Sequence, residues 1–199
     1  MAFPNKMILI LSLSKDEVAP LSAGYSHLRR WVLAAIVFAG LLQPALAAER
    51  PADPALEALL PSTLGGVTLM VESQAGTDLT TKSASFDAFL AGLGRTRADF
   101  WVASAYATGG LKAEIGAWRV QGADPALLLP GFKKAVQASS TTPLTEAKET
   151  LAGRTVTRIG DKGQLTRGPI YVYARGDALL FVETPERALA EEAIGKLPD

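Results

Sequence analysis

Ile170-Tyr171-Val172-Tyr173-Ala174-Arg175-Gly176-Asp177-Ala178-Leu179-Leu180-Phe181-Val182-Glu183, running into Thr184-Pro185, is the stretch on which the fold turns. Its first arm is β-branched and aromatic, and its second is a short apolar run. The Arg175-Gly176-Asp177 segment between them carries the residue types that tight turns need, so the whole reads as a β-hairpin. Thr184-Pro185 then pairs a capping hydroxyl with a proline whose missing N–H costs nothing in a first helical turn. Leu189, Ala193 and Leu197 follow at helical spacing. A hairpin passing directly into a helix points to an antiparallel sheet with helices packed on it, the α+β class.

The same grammar recurs upstream. Asp53-Pro54 opens a helix with Leu56, Leu59 and Leu60; Asp124-Pro125 opens another with Leu128, Phe132, Ala135 and Val136. Pro130-Gly131 inside the latter predicts a kink or a split. A helix from Ser85 carries Phe86, Phe89, Leu90 and Leu93 on one face, with Gly94 as its C-terminal cap. Strands are expected at Val67 to Glu72, at Phe100 to Ala107 paired through Gly109-Gly110 with Leu111 to Val120, and at Arg154 to Ile159. Lys148 to Thr150 is expected as a further edge. The sum is about six mainly antiparallel strands with three to four helices packed on them.

The order holds one unit twice: strand, hairpin, helix. Leu64-Gly65-Gly66-Val67-Thr68 echoes Leu151-Ala152-Gly153-Arg154-Thr155, and Val120 to Leu127 echoes Val182 to Leu189, with Ser139 to Pro143 as the polar link between halves.

Working outward to the N-terminus, residues 28–47 read as a signal peptide. Arg29-Arg30 is the basic region, Trp31 to Leu42 the apolar region, and Ala45-Leu46-Ala47 the small-x-small pattern, placing cleavage after Ala47. The apolar region is short for a membrane span and is interrupted by Pro44. Membrane contact is expected only through this segment if it is left uncleaved. Residues 1–27 read as an early-called start or an extended n-region, and residues 48–199 as a single α+β domain. The expected location is secreted or extracytoplasmic, in the periplasm or at the cell surface.

Composition bounds the chemistry. The 199 residues contain 20 basic and 20 acidic side chains, one histidine and no cysteine, and 48% are hydrophobic. That is ample apolar surface for a core. A balanced charge with pI near 6.6 gives no field that attracts nucleic acid. Setting the leader aside leaves 152 residues with 16 basic and 18 acidic groups, a formal charge of −2, and removes His27, the sole histidine. Residues 48–199 therefore hold no Ser-His-Asp triad, no Cys-His pair and no thiolate or imidazole metal site. No Ser-x-x-Lys, calcium-loop, phosphate-loop or dinucleotide pattern stands in their place. Gly160-Asp161-Lys162-Gly163 reads as a turn. No cofactor, metal or catalytic residue is expected.

Four aromatic side chains are the candidate ligand contacts: Trp101 and Trp118 on the two arms of the first hairpin, and Tyr171 and Tyr173 on one face of the second. Packing is the alternative role for each. Lys133-Lys134 reads as the solvated face of its helix.

The chain from Asp53 onward resembles a loose group of uncharacterised secreted or lipid-anchored bacterial proteins. The resemblance rests on Leu56 to Leu60, Gly65 to Leu69, the Tyr171 to Val182 hairpin, and a closing helix ending in Leu197-Pro198. It carries no activity, and the lipid-attachment cysteine of some relatives is missing here. The expected function is an exported, non-enzymatic domain binding a protein or small-molecule partner. The alternatives are a carrier of lipid or another apolar molecule, and a carboxylate-dependent hydrolase.

Overall fold

A computed structural model describes residues 52–80, 83–107, 109–140, 142–160 and 168–198. The fold is α+β. In chain order, α1 (Pro54–Glu57) precedes β1 (Thr63–Leu64), β2 (Val67–Thr68), β3 (Met70–Ala75), α2 (Ala84–Gly92), β4 (Phe100–Tyr106) and β5 (Glu114–Val120). Then come α3 (Leu128–Ser139), β6 (Thr145–Leu151), β7 (Arg154–Gly160), β8 (Ile170–Arg175), β9 (Ala178–Glu183) and α4 (Arg187–Lys196). Seven strands form one antiparallel sheet in the order β3-β4-β5-β9-β8-β7-β6, and β1 and β2 form a separate ribbon.

Helices cover both faces of that sheet. On one lie α1, α4 and the ribbon, burying Leu56, Leu64, Ile115, Leu180, Val182 and Ile194. On the other lie α2 and α3, burying Phe86, Leu90, Phe100, Trp118, Phe132 and Phe181. Central strand β9 is consequently buried at every residue. A strand with two covered faces has no polar side to present, which is why Ala178 to Val182 is a continuous apolar run rather than an alternation.

Most local signals act as read. Asp53 caps α1, its Oδ1 accepting from the Leu56 amide at 2.9 Å. Ser83 caps α2, two residues before the Ser85 start expected, accepting from the Phe86 amide at 3.3 Å. At the other end Gly94 has φ +68°, with its amide bonded to Ala91 O and the Arg95 amide bonded to Leu90 O. That is the paired bonding of a Schellman cap. Helix α3 is split as expected: Pro125–Leu127 is a 3-10 turn capped by Asp124, and Pro130 falls in the first turn of α3, where its missing N–H is harmless. The Lys148 to Thr150 edge is real and longer, pairing with β7 over Thr145–Leu151.

Three expectations need correction. The strand expected from Val67 to Glu72 is broken at Leu69. Gly65 and Gly66 both have positive φ, a two-residue turn that folds Val67-Thr68 back onto Thr63-Leu64, and only Met70–Ala75 joins the main sheet. The last helix starts at Arg187 rather than directly after Pro185, because Thr184 Oγ1 accepts from the Glu186 amide and closes a tighter turn first. The duplicated unit is repeated in its strands but not in its helices. The order places β3-β4-β5 and β7-β8-β9 symmetrically about the β5–β9 pair. A two-fold axis through that pair would put both closing helices on one face, yet α3 and α4 bury their apolar residues on opposite faces.

Tertiary ties fix the helices to the sheet. Asp53, besides capping α1, meets Arg119 Nη1 of β5 at 2.6 Å, and its own amide donates to Ser73 Oγ of β3 at 2.7 Å. Arg154 of β7 donates to the carbonyls of Ile194 and Leu197 at 2.6 and 2.5 Å, satisfying the acceptors that the end of α4 leaves open.

Candidate functional site

The four aromatic candidates do not converge. In the β4–β5 register Trp118 stands opposite Val102, and Trp101 opposite Arg119, so the two indoles point to opposite faces. Trp118 is buried under α2 and α3 in a chain of edge-to-face contacts with Phe86, Phe100 and Phe132. Trp101 is half-buried on the α1 and α4 face. Tyr171 and Tyr173 do share a face, but α4 covers it: Tyr171 is buried, and the Tyr173 hydroxyl accepts from Arg154 Nη1 at 3.3 Å. All four side chains pack. Ala47 and residues 161–163 lie outside the described residues.

One carboxylate pairing was invisible along the chain. Glu114 of β5 stands directly opposite Glu183 of β9, on the α2 and α3 face. Both have partners, as does Ser104 nearby. Glu72 lies across from Ser104, and burial, with the charge and hydrogen bond of Glu72, raises the Tyr106 phenol above its ordinary pKa. Among the described residues no group of three His, Cys, Asp or Glu side chains is arranged to hold a metal ion, and no helix is long and apolar enough to cross a membrane.

A groove of about 390 Å³ lies on the α2 and α3 side, between those helices and the β6–β7 hairpin. Its formation can be followed residue by residue. Phe89, on α2, lies against the backbone of Gly131 on α3, where a Cβ would come within 2.4 Å of the ring. Glycine there lets the two helices approach. Pro130 and Gly131 form one end of the groove and Ile159 of β7 its buried floor, with Leu144 half-buried beside it.

Two ties hold the far wall. Lys133 Nζ of α3 meets Glu146 Oε1 of β6 at 2.7 Å. The Gln137 amide donates to Thr142 O and accepts from the Leu144 amide, each at 2.9 Å. The linker after α3 is thereby fastened to the helix, and the groove is shaped before any ligand arrives. Its rim carries Lys133, Lys134, Gln137 and Glu146.

The groove combines an apolar floor of Phe89, Leu144 and Ile159 with a rim of net positive charge. The carboxylates that stand side by side, Glu114 and Glu183, are not in its lining, which includes the one carboxylate Glu146, already ion-paired. Sequence reading placed Phe89 in a core stripe and the two lysines on a solvated face. Their meeting depends on the approach of α2 to α3, for which Gly131 beside Pro130 is the one local sign. Compared with known protein families, curated proteins and solved structures, the chain matches none.

Proposed function

We propose that this chain is an exported binding domain, released from its leader after Ala47, whose ligand site is the groove between α2, α3 and the β6–β7 hairpin. The observation that carries this reading is the groove itself: a pre-shaped concavity of about 390 Å³ with an apolar floor and a polar rim. Small-molecule sites have this character, mostly apolar walls with a few polar groups that fix orientation. The carrier reading is favoured over a hydrolase by the same floor, since a ligand seated there meets Phe89, Leu144 and Ile159 and no pair of acids.

Two measurements test it. Binding of a neutral fluorescent probe, N-phenyl-1-naphthylamine, should brighten and blue-shift the dye. Leu144→Asp, which sets a charge on the apolar floor, should weaken that binding by about tenfold or more, because burying an unpaired carboxylate is costly. Probe binding that is unchanged in Leu144→Asp, or undetectable in the unaltered protein, would overturn the groove as the site. Export is tested separately. Mass analysis of the protein recovered outside the cytoplasm should give an N-terminus at Ala48; accumulation of the intact chain in the cytoplasm would sink the export reading.

A further inference from the structure

Resting on the groove as a binding site, we infer that its ligand is an anionic amphiphile with a single hydrocarbon tail and a carboxylate-type head. The tail follows from the floor: Phe89, Leu144 and Ile159 offer no hydrogen bond along it. A volume of about 390 Å³ sits at the small end of ligand sites, suited to one chain rather than two.

The head follows from the rim's charge. Lys133 is committed to Glu146 at 2.7 Å, and that pair, with side chains 33% and 46% exposed, is nearly self-neutralising. Lys134, the next residue on α3, lines the same groove and has no ion-pair or hydrogen-bond partner among the described residues. The rim thus presents one uncommitted ammonium beside an apolar concavity. A neutral head placed there leaves that ammonium as it was, and a cationic head meets two lysines against one carboxylate. An anionic head gains a charge-assisted hydrogen bond from that exposed ammonium.

The test is a competition at low ionic strength and pH 8 on the exported protein. Dodecanoate and 1-dodecanol share one tail and differ in charge. Each displaces N-phenyl-1-naphthylamine at concentrations below self-association. Dodecanoate should displace the dye at about tenfold lower concentration than dodecanol, as one charge-assisted hydrogen bond provides. The ratio within one variant is insensitive to any general change in affinity, so it is the quantity compared. In Lys134→Gln the ratio should fall to about twofold or less, with the thermal midpoint reporting that the exposed substitution leaves the fold intact. Equal displacement by the two amphiphiles, or a tenfold ratio that survives Lys134→Gln, overturns the inference while leaving the groove reading standing. Displacement by neither, with no dye binding, overturns both.

Discussion

Gly116→Ala should destabilise the protein by about 3 kcal/mol, one methyl group notwithstanding. Gly116 sits in β5, next to central strand β9 and opposite its Phe181, and the phenyl ring covers it. An added Cβ would come within 2.2 Å of Phe181 Cζ and 2.6 Å of Cε1. The ring has nowhere to go. It is 1% exposed, and its other side meets Phe132 at a centroid distance of 5.0 Å. Relief must come from an off-rotamer ring or from prising β5 and β9 apart at the middle of the sheet. In a domain of this size the thermal midpoint should drop by roughly 6–12 °C. The mechanism is checked by a second change: Phe181→Leu costs stability alone, but combined with Gly116→Ala it should recover much of the loss, a coupling that independent sites do not have. A thermal midpoint unmoved by Gly116→Ala would mean that the ring does not lie over the glycine.

Phe132→Ala should cost about 3–5 kcal/mol, the range for deleting a fully buried phenyl group. Phe132 is 0% exposed and, with Leu128 and Val136, is buried between α3 and the sheet. It packs edge-on to Trp118 at 5.0 Å with the rings 74° apart, and tilted on Phe181 at the same distance. Removing it deletes both aromatic contacts and leaves a void that the covered sheet face cannot collapse to fill. The measurement is a urea titration in which the midpoint falls with little change in slope. Trp118 supplies an independent reading, since loosening α3 should shift its emission to the red. A loss below about 1 kcal/mol would show that α3 is held elsewhere. The same helix carries the groove lysines, so groove binding and this contact are expected to fail together.

The sequence by itself determined the pieces. Asp53, Ser85 and Asp124 beside helical apolar spacing placed three helix or turn starts to within a residue or two. The Tyr171 to Val182 stretch declared its hairpin. These signals are local: a cap, a turn or a periodic stripe acts through neighbours a few residues away, and its energy hardly depends on the rest of the fold. Where local rules competed, tertiary structure decided. Val67 to Glu72 has the composition of one strand, yet positive φ at Gly65 and Gly66 returns its first part to Thr63-Leu64. Thr184 was a good cap on chemistry alone, but the chain spent that hydroxyl on Glu186 and began α4 later.

Only the tertiary structure decided which faces are covered and what meets across the sheet. Helices α3 and α4 each carry an apolar stripe, and nothing in either says that they bury opposite faces. That choice turned Trp101 and Trp118 away from each other, put α4 over Tyr171 and Tyr173, and broke the helical part of the repeat. The β5–β9 pairing set Glu114 against Glu183 and Phe181 over Gly116, residues far apart in the chain whose contact is worth nothing until both faces are buried. The groove belongs to this second class. Phe89, Lys134 and Ile159 come from three elements, each with an adequate local explanation, and they line one groove only because Gly131 lets α2 close on α3 and Lys133 reaches Glu146. Local propensity is a sum over neighbours, and a binding site is a product of packing.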